Sequence, residues 1–101
     1  MFPARLSAVI LAALAGAAAL PQVALDTDIG TDFDDTWALV YLLSKSIPGD
    51  ASRLFDFALI QCSTFNTTDR ARVATKILHD VGRFDVPVAV GRYTGEERMY
   101  V

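Results

Sequence analysis

The sequence predicts an α/β fold in which helices join the parallel strands of an open sheet. Two observations support this fold: three short apolar runs alternate with two helical stretches, and the connections between them are short. Strands that alternate with helices in this way run parallel through right-handed crossovers. The composition, with 52% hydrophobic and 21% charged residues, is that of a globular domain.

The first strand is predicted over residues 23–28, an apolar run that ends in acid. A helix is predicted over residues 34–46, and the Pro-Gly pair that follows ends it. The segment TWALVYLL within this helix is apolar almost all round. We therefore expect the helix to be well buried, with Trp37 and Tyr41 in the core.

The second strand is predicted over residues 55–62, FDFALIQC, whose continuous apolar character is typical of a strand covered on both faces. The third strand is predicted over residues 86–90, VPVAV, where a proline near the start is tolerated. Three parallel strands and two helices form half of a typical doubly wound sheet. We therefore expect the chain to be a truncated part of a longer protein.

The second helix is predicted over residues 68–81. Apolar residues recur along one side of it at spacings of three and four, namely Val73, Ala74, Ile77, Leu78 and Val81. Gly82 stands where a helix commonly ends with glycine. His79 lies off the apolar stripe beside Asp80, so we expect it to be exposed and assign it no catalytic role.

The charged residues argue against a nucleic-acid partner. The net charge is −3 and the basic residues are scattered, whereas phosphate binding requires a clustered basic patch. Acidic and basic residues alternate in the second helix, a pattern that predicts a solvated helix face: Asp69, Arg70, Arg72, Lys76 and Asp80.

Residues 1–19 are predicted to be a secretory signal peptide. One arginine precedes an apolar run from Leu6 to Leu20, and three alanines at positions 17–19 match a cleavage site. The run falls short of the roughly 18 to 20 residues that span a bilayer. We expect cleavage to leave residues 20–101 as a secreted protein without a stable membrane anchor. An uncleaved anchor and a buried helix are the alternatives.

Five aspartates fall within ten positions of the segment ALDTDIGTDFDDTWAL: Asp26, Asp28, Asp32, Asp34 and Asp35. No basic residue lies between Arg5 and Lys45, so the sequence offers no nearby counter-charge. The segment lies at the carboxyl end of the first strand, where open α/β sheets bind ligands. Two like charges 4 Å apart repel by about 4 kcal/mol at an effective dielectric constant of 20.

A bound cation would relieve this repulsion. Gly30 allows a tight loop, and calcium (Ca²⁺) accepts more carboxylate oxygens, in less regular geometry, than magnesium does. A solvated acidic loop with helix-capping roles is the alternative. An EF-hand is excluded because Thr31 and Trp37 occupy its sixth and twelfth positions, counted from Asp26. The haloacid-dehalogenase-type phosphatases are similar in the stretch DTDIGT and remain an alternative enzyme class.

The stretch VALDTDIGTDFDDTWAL resembles the N-terminal signature of the inosine–uridine preferring nucleoside hydrolases. Downstream, NTTDRARVATKILHDVGRFDVPVAVG is similar to the second helix, glycine turn and Val-Pro-Val strand of that family. The resemblance covers nearly all of residues 23–91. It implies a Rossmann-like nucleoside hydrolase fold, of which residues 20–101 hold the first β-α-β-α-β portion. It also implies a calcium-dependent hydrolysis of ribonucleosides to free base and ribose.

The resemblance assigns roles to individual carboxylates. Asp28 would be a calcium ligand and the base that takes a proton from water, and Asp35 would be a bidentate calcium ligand. Asp34 would hold a ribose hydroxyl, and Asp26 would support the loop behind these groups. Asp32 has no clear counterpart. The remaining ligands and the leaving-group histidine of the family lie beyond this length, so the chain alone is expected to be inactive.

Asn66 follows the second strand, where the family often places a residue that contacts the nucleoside substrate. The alternatives for Asn66 are a helix cap and, because NTT is a sequon, a glycosylation site. A non-catalytic module that keeps the loop for calcium or for capping is the alternative to a hydrolase. The sequence leaves open whether the full-length protein is a homo-oligomer.

Overall fold

The computed structural model of the chain describes residues 20–95, and within them strands and helices alternate as predicted. In chain order the elements are β1 (Gln22–Thr27), α1 (Phe33–Ser44), β2 (Asp56–Cys62), α2 (Thr67–Asp80) and β3 (Val88–Val90). The strands pair in parallel in the order β1-β2-β3. The open parallel α/β sheet is confirmed. The predicted signal peptide, residues 1–19, lies outside the described residues.

Local chemistry explains where the elements begin and end. The Asp32 carboxylate accepts a hydrogen bond from the Phe33 N–H at 2.8 Å and caps α1. Gly82 follows α2 with a φ of 73°, as expected for a glycine at a helix C-terminus. β3 begins at Val88 rather than at residue 86, because Pro87 has no N–H to donate to the sheet.

The core lies on one face of the sheet. Right-handed crossovers along this strand order place both helices on the same face. Side chains from the helices, the sheet and the connecting loops form one buried apolar cluster: Ile29, Leu39, Leu43, Phe55, Phe57, Ile60, Cys62, Ala71, Ala74, Leu78 and Val86.

The opposite face of the sheet is open within the described residues. Ala24 and Asp26 of β1 and Gln61 of β2 are exposed there. The prediction that the second strand is covered on both faces is therefore wrong for this part of the chain. Its continuous apolar character comes from Phe57, Ile60 and Cys62, which are buried, together with half-buried residues between them.

The prediction that the first helix is buried all round is also wrong. Leu39 and Leu43 of α1 are buried against the sheet. Trp37 and Tyr41 lie on the other side of the helix and are 72% and 59% exposed, so they are not core residues. Between residues 20 and 95, neither helix combines the length and the apolar character needed to cross a membrane.

In α2 the buried side is shifted toward the N-terminus relative to the prediction. Ala74 and Leu78 are buried as expected, but Val81 is exposed because it follows the last turn of the helix. His79 is exposed, as predicted. Arg70, predicted to be solvated, is instead 2% exposed. This side chain is described with the site below.

Gly91 lies where the ends of β2 and β3 come into close contact, and substituting it tests that contact. Its N–H donates to the Cys62 carbonyl at 2.8 Å, and a Cβ at this position would collide with that carbonyl oxygen. The colliding atom belongs to the main chain and cannot rotate away. We expect Gly91→Ala to lower the free energy of unfolding by about 3 kcal/mol in urea denaturation, the upper end of overpacking costs.

Gly49→Ala is the matched control for this substitution. Gly49 also lies after a secondary-structure element, but no atom lies within 4 Å of the position that a methyl group would take there. Its φ of +80° alone should cost about 1 kcal/mol. Equal losses in the two variants would show that the contact with Cys62 is not tight.

Candidate functional site

The acidic segment lies at the carboxyl end of the sheet. Asp28 is the first residue after β1, and Asp34 and Asp35 lie in the first turn of α1. Gly30, between them, has a φ of 106°, a conformation that glycine adopts without steric cost. The loop therefore folds tightly, as predicted, and brings residues from both of its ends together.

The carboxyl groups of Asp28 and Asp35 form an interacting pair, each of which shifts the pKa of the other. Hydrogen bonding to the Asp35 carboxylate, which accepts, raises the pKa of Asp28, and partial desolvation and the charge of Asp35 act in the same direction. Asp35 also accepts from the Thr27 hydroxyl at 2.6 Å and from the Asp28 N–H at 3.1 Å. These donors, the Thr27 hydroxyl first, lower the pKa of Asp35. The two carboxyl groups therefore have pKa shifts of opposite direction.

Thr27 positions this pair, and no pattern in the sequence indicated its role. Thr27 is the last residue of β1, and its side chain is buried on the helix-covered face of the sheet. Its hydroxyl donates to Asp35 and accepts from the Ile29 N–H at 3.1 Å. Because Ile29 is fully buried in the core, the loop is fixed on both sides of Asp28.

Arg70 is the counter-charge that the sequence did not reveal. Its guanidinium, on α2, donates to the carbonyls of Asp28 and Ile29 and to the Thr31 hydroxyl at 2.6 Å. Its Nε donates to the Thr64 carbonyl at 2.8 Å. The positive charge partly opposes the rise in the pKa of Asp28 and contributes to the lowered pKa of Asp35.

Arg70 thus corrects two predictions. It is buried rather than solvated, and the acidic loop does have a nearby positive charge, which comes from a distant part of the chain. One signal in the sequence was available: Arg70 precedes Ala74 by four residues and so lies on the buried side of α2. Arg72 and Lys76 are exposed, as predicted, and pair with Asp69 and Asp80.

The loop after β2 carries a strained main chain. Thr64 and Phe65 have φ values of 76° and 55°, which residues other than glycine rarely adopt. Such residues cost about 1–3 kcal/mol each and are concentrated at functional sites. The Phe65 N–H donates to the Thr94 hydroxyl at 2.8 Å, and the Thr94 N–H donates to the Phe65 carbonyl at 3.0 Å. Arg70 joins this loop to the acidic loop.

Asn66 caps α2. Its side-chain oxygen accepts from the Asp69 N–H at 3.1 Å, and its amide donates to the Asp69 carboxylate at 3.0 Å. This arrangement is the capping role that the sequence left open. The contact of Asn66 with a substrate stays a prediction.

The other aspartates occupy different surroundings. Asp34 is exposed, and its carboxylate accepts from the Asp35 N–H at 3.0 Å. Asp32 caps α1, which gives a role to the residue that had no counterpart in the family signature. Asp26 is exposed on β1, on the opposite face from its neighbour Thr27. The structure therefore brings together Asp28 and Asp35, with Asp34 beside them.

The carboxyl pair offers the type of ligand that calcium prefers, but fewer ligands than calcium needs. Calcium takes 6–8 oxygen ligands, and carboxylates are its preferred side chains. Asp28 and Asp35 offer two such groups, and the Asp28 N–H donates to the Asp35 carboxylate. Over residues 20–95, however, no three His, Cys, Asp or Glu side chains come together as a metal-binding group. A calcium ion here would need further oxygens from water, substrate or another part of the protein.

Comparisons with protein-family models, with curated proteins and with solved structures found no match to this chain.

Proposed function

We propose that this chain provides the calcium-binding part of a nucleoside N-ribohydrolase, an enzyme that splits ribonucleosides into free base and ribose. The observation that carries the proposal is the Asp28–Asp35 carboxyl pair at the carboxyl end of a parallel sheet. Its two members have opposite pKa shifts, an arrangement typical of carboxylates with different chemical roles. The resemblance of the segment from Val23 to Leu39 to the nucleoside hydrolase signature gives the substrate class.

The proposed chemistry assigns one role to each carboxylate. Asp28 takes the proton of a water molecule whose oxygen bonds to the anomeric carbon as the bond to the base breaks. Asp35, which stays ionised, stabilises the positive charge that develops on the ribose ring. Asp34 is exposed beside the pair and accepts a hydrogen bond from a ribose hydroxyl. A bound calcium ion would lower the pKa of water and orient the sugar oxygens.

The full reaction needs further functional groups, which we propose are supplied by residues outside this sequence. The departing base requires a proton donor, and calcium requires more oxygens than Asp28 and Asp35 supply. We therefore propose that turnover belongs to a longer protein, which is secreted if residues 1–19 act as a signal peptide. Asn66 contacts the nucleoside in this proposal, in addition to capping α2.

A non-catalytic calcium-binding module is the second candidate. The specific observation in its favour is that the described residues gather only two carboxylates and no third ligating side chain. Such a site would bind calcium weakly and would have no means of activating a substrate.

Calcium binding is the first test. We expect calcium to raise the melting temperature of the protein. At a calcium concentration one hundred times the dissociation constant, the free energy of unfolding should increase by about 2.7 kcal/mol. Asp35→Asn should remove this shift, whereas Asp80→Asn, which changes an exposed aspartate on α2, should keep it. Melting curves of the unaltered protein that are identical with and without calcium would contradict the metal site.

Turnover separates the two candidates. The full-length protein should release ribose from inosine or uridine, and a calcium chelator should stop the release. Calcium binding without any ribose release would leave only the non-catalytic module.

A further inference from the structure

The outward side of α1 carries a continuous apolar surface. Its members are large exposed side chains, and we call them the α1 stripe: Phe33, Trp37, Val40, Tyr41 and Ile47. Phe33, Trp37 and Tyr41 follow one another at a spacing of four, so they lie on one side of the helix. Ile47, just beyond the helix, lines an apolar groove of about 340 Å³ together with Val40. Exposed contiguous patches of this kind mark interaction sites.

The α1 stripe is bordered by two opposite charges. Asp34 and Lys45 both lie on the edge of the stripe that carries Tyr41, because Tyr41 follows Asp34 by seven positions and precedes Lys45 by four. The Lys45 ammonium lies 5.6 Å from the centre of the Tyr41 ring, which places it directly beside the stripe. The acidic charge is at the start of α1 and the basic charge is at its end.

This surface is complementary to itself. In a symmetric dimer, a two-fold axis perpendicular to a pair of antiparallel helices brings the same edge of each helix together. With the axis near the middle of α1, Trp37 of one copy packs against Val40 of the second copy. The same axis places Asp34 of each copy beside Lys45 of the other. A parallel arrangement would bring opposite edges of the two helices together and would leave Asp34 and Lys45 without these partners.

We infer that this protein forms a symmetric homodimer in which the α1 stripes of two copies pack antiparallel. The area available is sufficient for a weak dimer. Phe33, Trp37 and Tyr41 of both copies are six aromatic side chains. If each buries roughly 150 Å², together they bury about 900 Å² in the interface. Val40 and Ile47 of both copies bring the total near the roughly 1,200 Å² at which specific interfaces begin. The dimer does not require a bound calcium ion, although it shares Asp34 with the proposed nucleoside site.

Sedimentation velocity between about 1 and 200 µM is the test, because this range covers weak specific interfaces. We expect the sedimentation coefficient of the protein to rise from that of a monomer to that of a dimer. Trp37→Ser should raise the dissociation constant at least about tenfold, as for a central aromatic of an interface. Phe84→Ser is the matched control, since Phe84 is equally exposed but lies outside the α1 stripe, and it should leave the dimer unchanged.

Charge reversal tests the antiparallel arrangement. Lys45→Glu and Asp34→Lys should each weaken the dimer, and the double variant should restore it, with circular dichroism confirming that every variant is folded. A monomer at all concentrations would overturn the inference and assign the α1 stripe to a different partner. A dimer that Trp37→Ser leaves unchanged would also overturn it. Loss of the dimer in both single variants without recovery in the double variant would overturn the antiparallel arrangement.

Discussion

Replacing Arg70 with methionine is expected to lower the free energy of unfolding by about 3–5 kcal/mol. The substitution keeps most of the side-chain volume but leaves the buried carbonyl of Ile29 and the partly buried carbonyls of Asp28 and Thr64 without their donor. Each unsatisfied buried polar group costs about 1–3 kcal/mol. A small domain has only about 5–15 kcal/mol in total, so the variant should be near the limit of folding.

Arg72→Met is the matched control in urea denaturation. Arg72 lies on the same helix, but its side chain is exposed and its pair with Asp69 is solvated, so the loss should stay below about 1 kcal/mol. Arg70→Lys should recover only part of the stability, because one ammonium cannot reach acceptors spread over two loops. A loss in Arg70→Met no larger than that in Arg72→Met would contradict the role of Arg70 as the link between the loops.

The fold was predictable because it is encoded locally. Alternation of apolar runs and helical periodicity placed every strand and helix within two residues of its observed position. The side of each helix that packs against the sheet was harder to predict from the sequence. Within α1, residues 37–43 are all apolar, so periodicity could not distinguish Leu39, which is buried, from Trp37, which is exposed.

Arg70 shows what local patterns omit. Its partners Asp28 and Ile29 lie more than forty positions away, and they meet it only after α2 has packed on the sheet. The absence of basic residues near the acidic segment was a correct observation about the sequence. It did not predict the electrostatics of the loop, because the counter-charge reaches the loop through the tertiary structure.

The candidate site, too, was predictable from the sequence only in part. The gathering of the aspartates at one end of the sheet followed from their closeness in sequence. The pairing of Asp28 with Asp35 depends on the Thr27 hydroxyl, which holds one Asp35 oxygen in place. No spacing rule identifies that hydroxyl, because its direction is set by the alternation of side chains along β1 and by the position of α1 above it.

The two paired carboxylates should therefore differ in what their loss does to folding. Asp35→Ala removes the acceptor of the buried Thr27 hydroxyl and should destabilise the fold. Asp28→Ala should not, because Arg70 and Asp35 also contact Asp28 through its main-chain carbonyl and N–H, which alanine retains. Asp28 is thus the position at which a chemical role can be tested with little structural cost.

We expect Asp28→Ala to lower kcat of the full-length protein toward inosine or uridine by about 10²–10⁴-fold, the range for loss of a general base. The melting temperature without calcium should stay close to that of the unaltered protein. Asp80→Asn, an exposed change far along α2, should leave turnover unchanged. Unchanged ribose release by Asp28→Ala would remove the hydrolase assignment, because the carboxyl pair would then have no part in the chemistry.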